Sequence, residues 1–378
     1  MAKTSSKGEP DDTAILRGQV VELGDRGYDD TRKVYNAMID RKPLLIAKCA
    51  DVASGLGICD DGLVINLENN NLRSPAFGAI QRNNCEMTSL RWILPFLLWT
   101  SLHAQTRLKA NIERITRSVN AQWGIYIKCI ETGEEIAIDA DRQMDTMSVI
   151  KIPLMAETFR QIGEGKFKLD DRVTLKEDDK RPGTGVMRLL DAGATFTIRD
   201  LLTLTIVVSD NTATDLLFSK AGGMDPVNRF MESEGLLSIR ATGPASRWFA
   251  ALRAAPSAEE FHREAKTPFG LASPRDMGKL LEKIATGKLI GKPASDEMLR
   301  IMRGQVYSSR LPKYVSGFRV PHKTGDFLPY IGNDAGIFES PKRNVVVVVF
   351  TAKHFGSGPY LEDAIGRIGE LVANYFAN

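Results

Sequence analysis

Five consecutive valines, Val345 to Val349, sit in the stretch Arg343-Asn-Val-Val-Val-Val-Val-Phe350 near the C-terminus. An unbroken β-branched run of this length has no polar side to offer water, so it predicts a strand covered on both faces. Its neighbours say what covers it. Ile365, Ile368, Val372 and Tyr375 recur at helical spacing after it. Leu108, Ile112, Ile115 and Val119 do the same far upstream, so amphipathic helices bracket the region at both ends. Trp123-Gly-Ile-Tyr-Ile-Lys-Cys-Ile130 and Glu135-Ile-Ala-Ile138 alternate around Glu131-Thr-Gly-Glu134, which reads as a hairpin. Strands from both ends with a long helical middle predict an α+β chain: an antiparallel sheet flanked by terminal helices, with an all-helical insert.

Bulk composition removes several function classes. A formal charge of +3 over 378 residues, without a Lys/Arg run, gives no basis for a nucleic-acid partner. His103, His262, His322 and His354 have no ligand spacing with the cysteines, so no metal site and no cofactor is expected. Cys49, Cys59 and Cys85 all precede Gln105, which leaves Cys129 without a disulfide partner in the region beyond it.

Three short polar motifs then point to chemistry: Ser148-Val-Ile-Lys151, Ser209-Asp210-Asn211 and Lys323-Thr324-Gly325. Ser148 should open a helix running to about Gly163, with Lys151 one turn along on the same face. Pro153 is tolerated there because the first turn has no N–H to lose. An amine near a helix N-terminus is disfavoured as a cation, which suits it to activate a serine hydroxyl. Asn211 reads as the cap of a helix from Thr212 to Lys220, and Thr197-x-x-Asp200 as the capped start of the helix before it. A lysine beside a hydroxyl, Lys323 with Thr324, suits a carboxylate. Taken singly, each motif also fits a solvated helix face or a cap.

Together, in this order, the three motifs resemble the serine β-lactamase and penicillin-binding group, and class A β-lactamases in particular. Gly185-Val-Met-Arg-Leu-Leu190, Ser273-Pro-Arg-Asp-Met277 and Asn333-Asp-Ala-Gly-Ile337 support the likeness, which runs from about Gln105 to the C-terminus. The resemblance implies Ser148 as nucleophile, Lys151 as its base and Ser209 as proton relay. It implies Asn211, Lys323, Thr324 and Gly325 as substrate-binding residues, Gly325 admitting the substrate backbone. The backbone N–H groups of Ser148 and Asp326 would form the oxyanion hole. His322 would be a neighbour of the clamp. The substrate would be a β-lactam, handled by a monomer. A D-alanyl-D-alanine peptidase, an esterase or a non-turnover β-lactam sensor are the alternatives on the same scaffold.

One departure stands out. The glutamate pattern E-x-x-L-N, which supplies the deacylating base in class A enzymes, is missing. An expanded stretch, Ala241 to Phe269, holds Glu259, Glu260 and Glu264 instead. Glu260 is the choice by position for the base; a solvated helix face is the alternative for all three.

Residues 87–104 have the layout of a secretory signal: Met87-Thr-Ser-Leu-Arg91, an apolar core from Trp92 to Trp99, then Ser101-Leu-His-Ala104. That predicts a cut after Ala104, a catalytic domain over 105–378, and a periplasmic or secreted location without lasting membrane association. A buried helix or linker is the other reading. Residues 14–66 resemble a truncated piece of a berberine-bridge-type flavin-linked oxidase, in Gly24-Asp-Arg-Gly-Tyr28, Tyr35-Asn-Ala-Met-Ile-Asp40 and Gly55-Leu-Gly-Ile-Cys59. The loop that should cradle the flavin is absent, so residues 1–86 read as a remnant or a mis-assigned upstream segment.

Overall fold

A computed structural model describes residues 18–22, 45–49, 90–264 and 266–377, with side chains from residue 104 onward. The chain divides into two units, Met1–Cys85 and Glu86–Asn378. In the first, strands β1 (Gly18–Glu22) and β2 (Leu45–Cys49) pair antiparallel, Gly18 opposite Cys49. The rest of the flavin-like stretch lies outside the described residues.

The second unit opens with helix α1 (Leu90–Ser118). It runs unbroken through Ala104, so the apolar run and the amphipathic stretch after Gln105 share one helix. No helix among the described residues is long and apolar enough to cross a membrane. Strands β3 (Gln122–Cys129) and β4 (Glu135–Ile138) form the expected hairpin. A short strand β5 (Met144–Asp145), a 3-10 turn (Met147–Ile150) and helix α2 (Lys151–Gly163) follow.

The insert is helical in bulk and carries two short ladders. Strands β6 (Arg172–Thr174) and β7 (Thr195–Thr197) pair with each other. Helices α3 (Ile198–Val207), α4 (Asn211–Ala221) and α5 (Met224–Ser233) lead to β8 (Arg240–Ala241). Helices α6 (Ala245–Ala254) and α7 (Ala258–Glu264) occupy the expanded stretch. Strand β9 (Gly270–Ala272) sits between β5 and β8, and α8 (Pro274–Ala285) and α9 (Lys292–Met302) complete the insert.

Strands β10 (His322–Phe327), β11 (Ile331–Glu339) and β12 (Asn344–Ala352) and helix α10 (Gly358–Phe376) close the unit. The sheet order is β10-β11-β12-β3-β4, antiparallel throughout, with the valine strand at its centre. The run is apolar at every position because each face is covered. Val346, Val348 and Phe350 pack on the side of Leu280, Leu281 and Met277 from α8. Val345, Val347 and Val349 face Ile112 of α1 and Ile365, Ile368 and Val372 of α10. All five valines have no exposed surface. At roughly 1.5–3 kcal/mol per fully buried side chain, the five valines together contribute on the order of 10 kcal/mol of burial to the core. Strand β10 is the edge, turned toward the start of α2, and that edge forms one wall of the site.

Candidate active site

Ser148 lies half-buried on the 3-10 turn that feeds α2. The residue before it, Met147, has φ +46°, a left-handed conformation that costs a non-glycine residue energy and is held by its surroundings. Asp145 Oδ1 accepts from Met147 N at 2.9 Å and is one of those constraints. Among the described residues, Ser148 Oγ has no hydrogen-bond partner, and its neighbours Val149 and Ile150 are fully buried.

Gly325 explains how the edge strand reaches this turn. A Cβ at Gly325 would stand 2.4 Å from Thr146 O and 2.9 Å from Ser148 N. Any side chain there would push β10 off the nucleophile turn. Gly325 therefore has a packing role, admitting the protein's own backbone, beside the part in substrate binding that the resemblance implies.

Lys151 is fully buried, and its Nζ donates to Ser209 O at 2.7 Å, Ser209 Oγ at 3.0 Å and Asn211 Oδ1 at 3.0 Å. Burial, with the nearby Lys323 charge adding to it, holds this amine well below its ordinary value. As a neutral amine it would keep two N–H donors, for Ser209 O and Asn211 Oδ1, and turn a lone pair to the Ser209 hydroxyl, which is what a base beside a serine needs.

The second motif bridges α3 and α4. Thr197 caps α3 reciprocally with Asp200 as expected: Thr197 Oγ1 accepts from Asp200 N and Asp200 Oδ2 accepts from Thr197 N at 2.9 Å. The cap of α4 differs from expectation. Asp210, one residue earlier than predicted, accepts from Ala213 N at 3.0 Å, and the helix starts at Asn211. The other oxygen of Asp210 accepts from Val186 N at 2.6 Å and Met187 N at 2.8 Å. Gly185, at φ +104°, is needed for this, because a Cβ there would overlap the Asp210 carboxylate at 2.2 Å. With the cap made by Asp210, Asn211 is released for the cluster, and its Nδ2 donates to Pro182 O at 2.9 Å. Ser209 itself has φ +55°, turning its hydroxyl between the walls.

Lys323 completes the cluster from β10. It is fully buried, and its Nζ donates to Ser209 Oγ at 3.0 Å and to Thr324 O at 2.7 Å. Ser209 Oγ thus lies 3.0 Å from both amines, accepting from Lys323 and able to donate to Lys151 when that amine is neutral. Burial brings the Lys323 amine down to about 7; Asp326 and Asp334 pull it back up and Arg310 opposes them. Asp326 is paired with Arg310 Nη2 at 2.8 Å. Burial works against its charge, yet Arg310 and the two lysines hold its carboxyl below the usual range. His322 points the other way, to Asp334 Oδ1 at 2.9 Å, in line with a neighbour's role.

Glu260 is not brought to this cluster. Glu259, Glu260 and Glu264 are all exposed on α7, two of them paired with Arg263 and Lys266 at the surface. Helix α7 turns its other side inward. His262 Nε2 accepts from Lys353 N at 3.0 Å, and its ring stacks on Tyr330 at 5.1 Å. Phe261 meets Trp248 and Phe327 edge-on. Trp248 in turn meets Phe269, whose ring lies 6.0 Å from Lys151 Nζ. Aromatic rings therefore fill the layer between Lys151 and α7.

The acids that do pack around the cluster are all engaged. Asp210 and Asp145 bind backbone N–H groups, and Asp326 binds Arg310. Asp215 binds Arg181 at 2.7 Å and Ala245 N at 2.8 Å. Asp334 binds His322 and Leu311 N at 3.1 Å. Sequence reading missed two contributors. Arg310, 3% exposed, has no pattern around it to signal a role. Asp145 could have been noticed from its place three residues before the nucleophile.

The Beta-lactamase2 pattern, described as the beta-lactamase enzyme family, matches residues 107–376. Beta-lactamase VEB-1 of Pseudomonas aeruginosa is 26% identical over 295 residues, covering 73% of this chain and 93% of that protein. The crystal structure of a beta-lactamase from Sphaerobacter thermophilus superposes with a TM-score of 0.62 at 28% identity, over 70% of this chain and 96% of that one. A PBP-A mutant, solved as an acyl-enzyme complex with penicillin G, gives a TM-score of 0.62 at 25% identity, over 72% and 97% of the two chains. Nothing in these matches supports the flavin likeness of residues 14–66. With the three motifs gathered around one serine hydroxyl on this sheet and insert, the chain belongs to the beta-lactamase enzyme family.

Proposed function

We propose that the protein is a serine hydrolase that opens β-lactam rings through an acyl-Ser148 intermediate. The observation that carries this is Ser209 Oγ at 3.0 Å from both the Lys151 and Lys323 amines, with Lys151 itself one turn along from Ser148. In this reading neutral Lys151 takes the Ser148 proton as Oγ attacks the lactam carbonyl. The backbone N–H groups of Ser148 and Asp326 receive the developing oxyanion. Ser209, fed by both amines, passes a proton to the departing lactam nitrogen. Lys323 and Thr324 hold the substrate carboxylate, and Asn211 borders the amide side chain while keeping Lys151 in place. The catalytic unit is residues 105–378, exported to the periplasm or beyond and working as a monomer.

Release of the acyl group needs an activated water. Since the acids around the cluster are bonded to other groups, the amine of Lys151 is the base for this step too. A second reading follows from the same observation: the acyl-enzyme persists, as in a peptidase or a sensor. Intact mass measured while the protein turns over a chromogenic cephalosporin separates the two. Sustained colour with a transient adduct supports hydrolysis; one equivalent of colour with a lasting adduct supports the second reading. Ser148→Ala should lose both colour and adduct, with turnover down at least about 10⁴-fold. Colour from that variant at the original rate would move the nucleophile elsewhere.

A further inference from the structure

Asp145 has no place in the chemistry above, yet it touches both halves of it. Its Oδ1 accepts from Met147 N at 2.9 Å, which fixes the strained residue next to Ser148. The same carboxylate accepts from Phe269 N, 3.2 Å from Oδ2 and 3.3 Å from Oδ1, with the Gly270 N–H beside it. Phe269 carries the ring that lies against Lys151. The main chain is tied in as well, with Asn333 Nδ2 of β11 donating to Asp145 O at 2.8 Å and Thr146 N donating to Gly270 O at 2.9 Å. One carboxylate thus joins the turn that aims the nucleophile to the strand that floors its base.

We propose that Asp145 is a positioning residue for acylation, a carboxylate clamp that sets Ser148 and the Phe269 floor of Lys151 in register. The inference rests on the reading of Ser148 as nucleophile.

Two features set this clamp apart from ordinary turn chemistry. Met147 N could be satisfied by a neutral serine or asparagine, as turns commonly are. An ionised group is used instead, and none of its hydrogen-bond or ion-pair partners among the described residues is a cation. From the elements packed on it, the turn and β9 offer backbone N–H groups and β11 offers the neutral Asn333. The titratable groups on neighbouring elements, Lys151 on α2 and Lys323 on β10, bond to Ser209 instead. Burial pushes the Asp145 acid up to about 6, although the Met147, Phe269 and Gly270 N–H groups oppose this. The sign follows from linkage. A carboxyl bound more tightly to its proton in the folded state than in the unfolded one costs stability when ionised. That cost is absent below about pH 4, grows to about pH 6 and is full above it. A charge kept where it weakens the fold, beside a strained nucleophile turn, fits a role in function.

The test compares wild type, Asp145→Asn and Asp145→Ala in the full chain, using the burst of a chromogenic cephalosporin counted per acylatable site by intact mass. Asp145→Asn should fold, with Tm at pH 8 equal to or above wild type and the gain shrinking toward pH 5. Its acylation rate constant should fall about 10-fold with little change in the concentration giving half-maximal rate, the signature of misplacement rather than lost binding. Its rate should also decline less steeply from pH 7.5 to 5, since the Asp145 carboxyl that titrates near 6 is gone. Asp145→Ala should acylate more slowly still. Wild-type rates per site and a wild-type pH profile in Asp145→Asn would overturn the inference, whatever its Tm. If wild type itself forms no adduct, the Ser148 reading fails first, which the same mass spectrum reports.

Discussion

The two walls of the cleft each contribute one buried lysine to the same hydroxyl, and they treat it differently. On the helical wall, Lys151 is ringed by neutral oxygens from Ser209 and Asn211. Burial and the other lysine outweigh Asp210, Asp215 and Asp326, which favour its charge, and hold the amine well below its ordinary value. On the strand wall, Lys323 lies among ions, with Asp326 and Asp334 favouring its charge and Arg310 opposing it, and it settles at about 7. An incoming carboxylate would add a further negative charge and keep this amine protonated. In the proposed mechanism identical side chains thus serve as a base on one wall and a clamp on the other, because their surroundings differ.

That contrast can be broken from the helical side first. Lys151→Arg keeps a side chain of similar length but puts a permanent cation where the mechanism needs a neutral base. We expect kcat/KM to fall roughly 10²–10⁴-fold, the worth of a general base, with the acyl adduct forming too slowly to see in a burst. A Lys151→Arg variant that acylates within a few-fold of wild type would assign the base elsewhere.

The strand side should respond in binding. Lys323→Met should raise KM for carboxylate-bearing substrates by about 10–100-fold, the worth of a charge-assisted hydrogen bond, and leave kcat less affected. In wild type, KM for such substrates should climb as pH rises through about 7, while Lys323→Met shows no such climb. Stability gives the opposite sign. The folded state holds the Lys323 proton less tightly than the unfolded chain, so stability rises with pH from about 7 to about 10.5. Lys323→Met should therefore raise Tm most at pH 6 and progressively less above it. Equal Tm shifts at pH 6 and pH 10 would mean that its charge carries no cost in the fold.

How much of this was legible beforehand depends on the range of the interactions involved. The valine strand announced its own burial, because five residues at period one have nowhere else to go. The reciprocal cap between Thr197 and Asp200 was readable because it is local, three residues apart. Asn211 was misread as a cap for an instructive reason. Both Asp210 and Asn211 are competent cap residues, and the choice was made by Val186 and Met187, whose N–H groups claim the same Asp210 carboxylate from a distant loop. The packing role of Gly325 was not legible, because the turn that fills its Cβ position is far upstream in sequence. The acids of α7 carried no local sign of which face would be buried; His262 and Phe261 decided it through Tyr330, in the turn before β11, and Phe327 on β10.

The smallest expected effect tests what separates the walls from the rest of the insert. Glu259→Gln, Glu260→Gln and Glu264→Gln, singly and together, should change kcat by less than about 2-fold, because solvated surface charges contribute little. The reasoning is geometric. A base must reach a water at the acyl carbon within hydrogen-bond distance. Helix α7 is held with its glutamates outward by His262 on Tyr330 and by Phe261 on Trp248 and Phe327, and Phe269 and Trp248 stand between it and Lys151. Measuring kcat on the triple variant, with the adduct lifetime from intact mass, checks the deacylation step directly. A lifetime lengthened 100-fold would mean that α7 swings inward in the acyl-enzyme and that a carboxylate, rather than Lys151, releases the product.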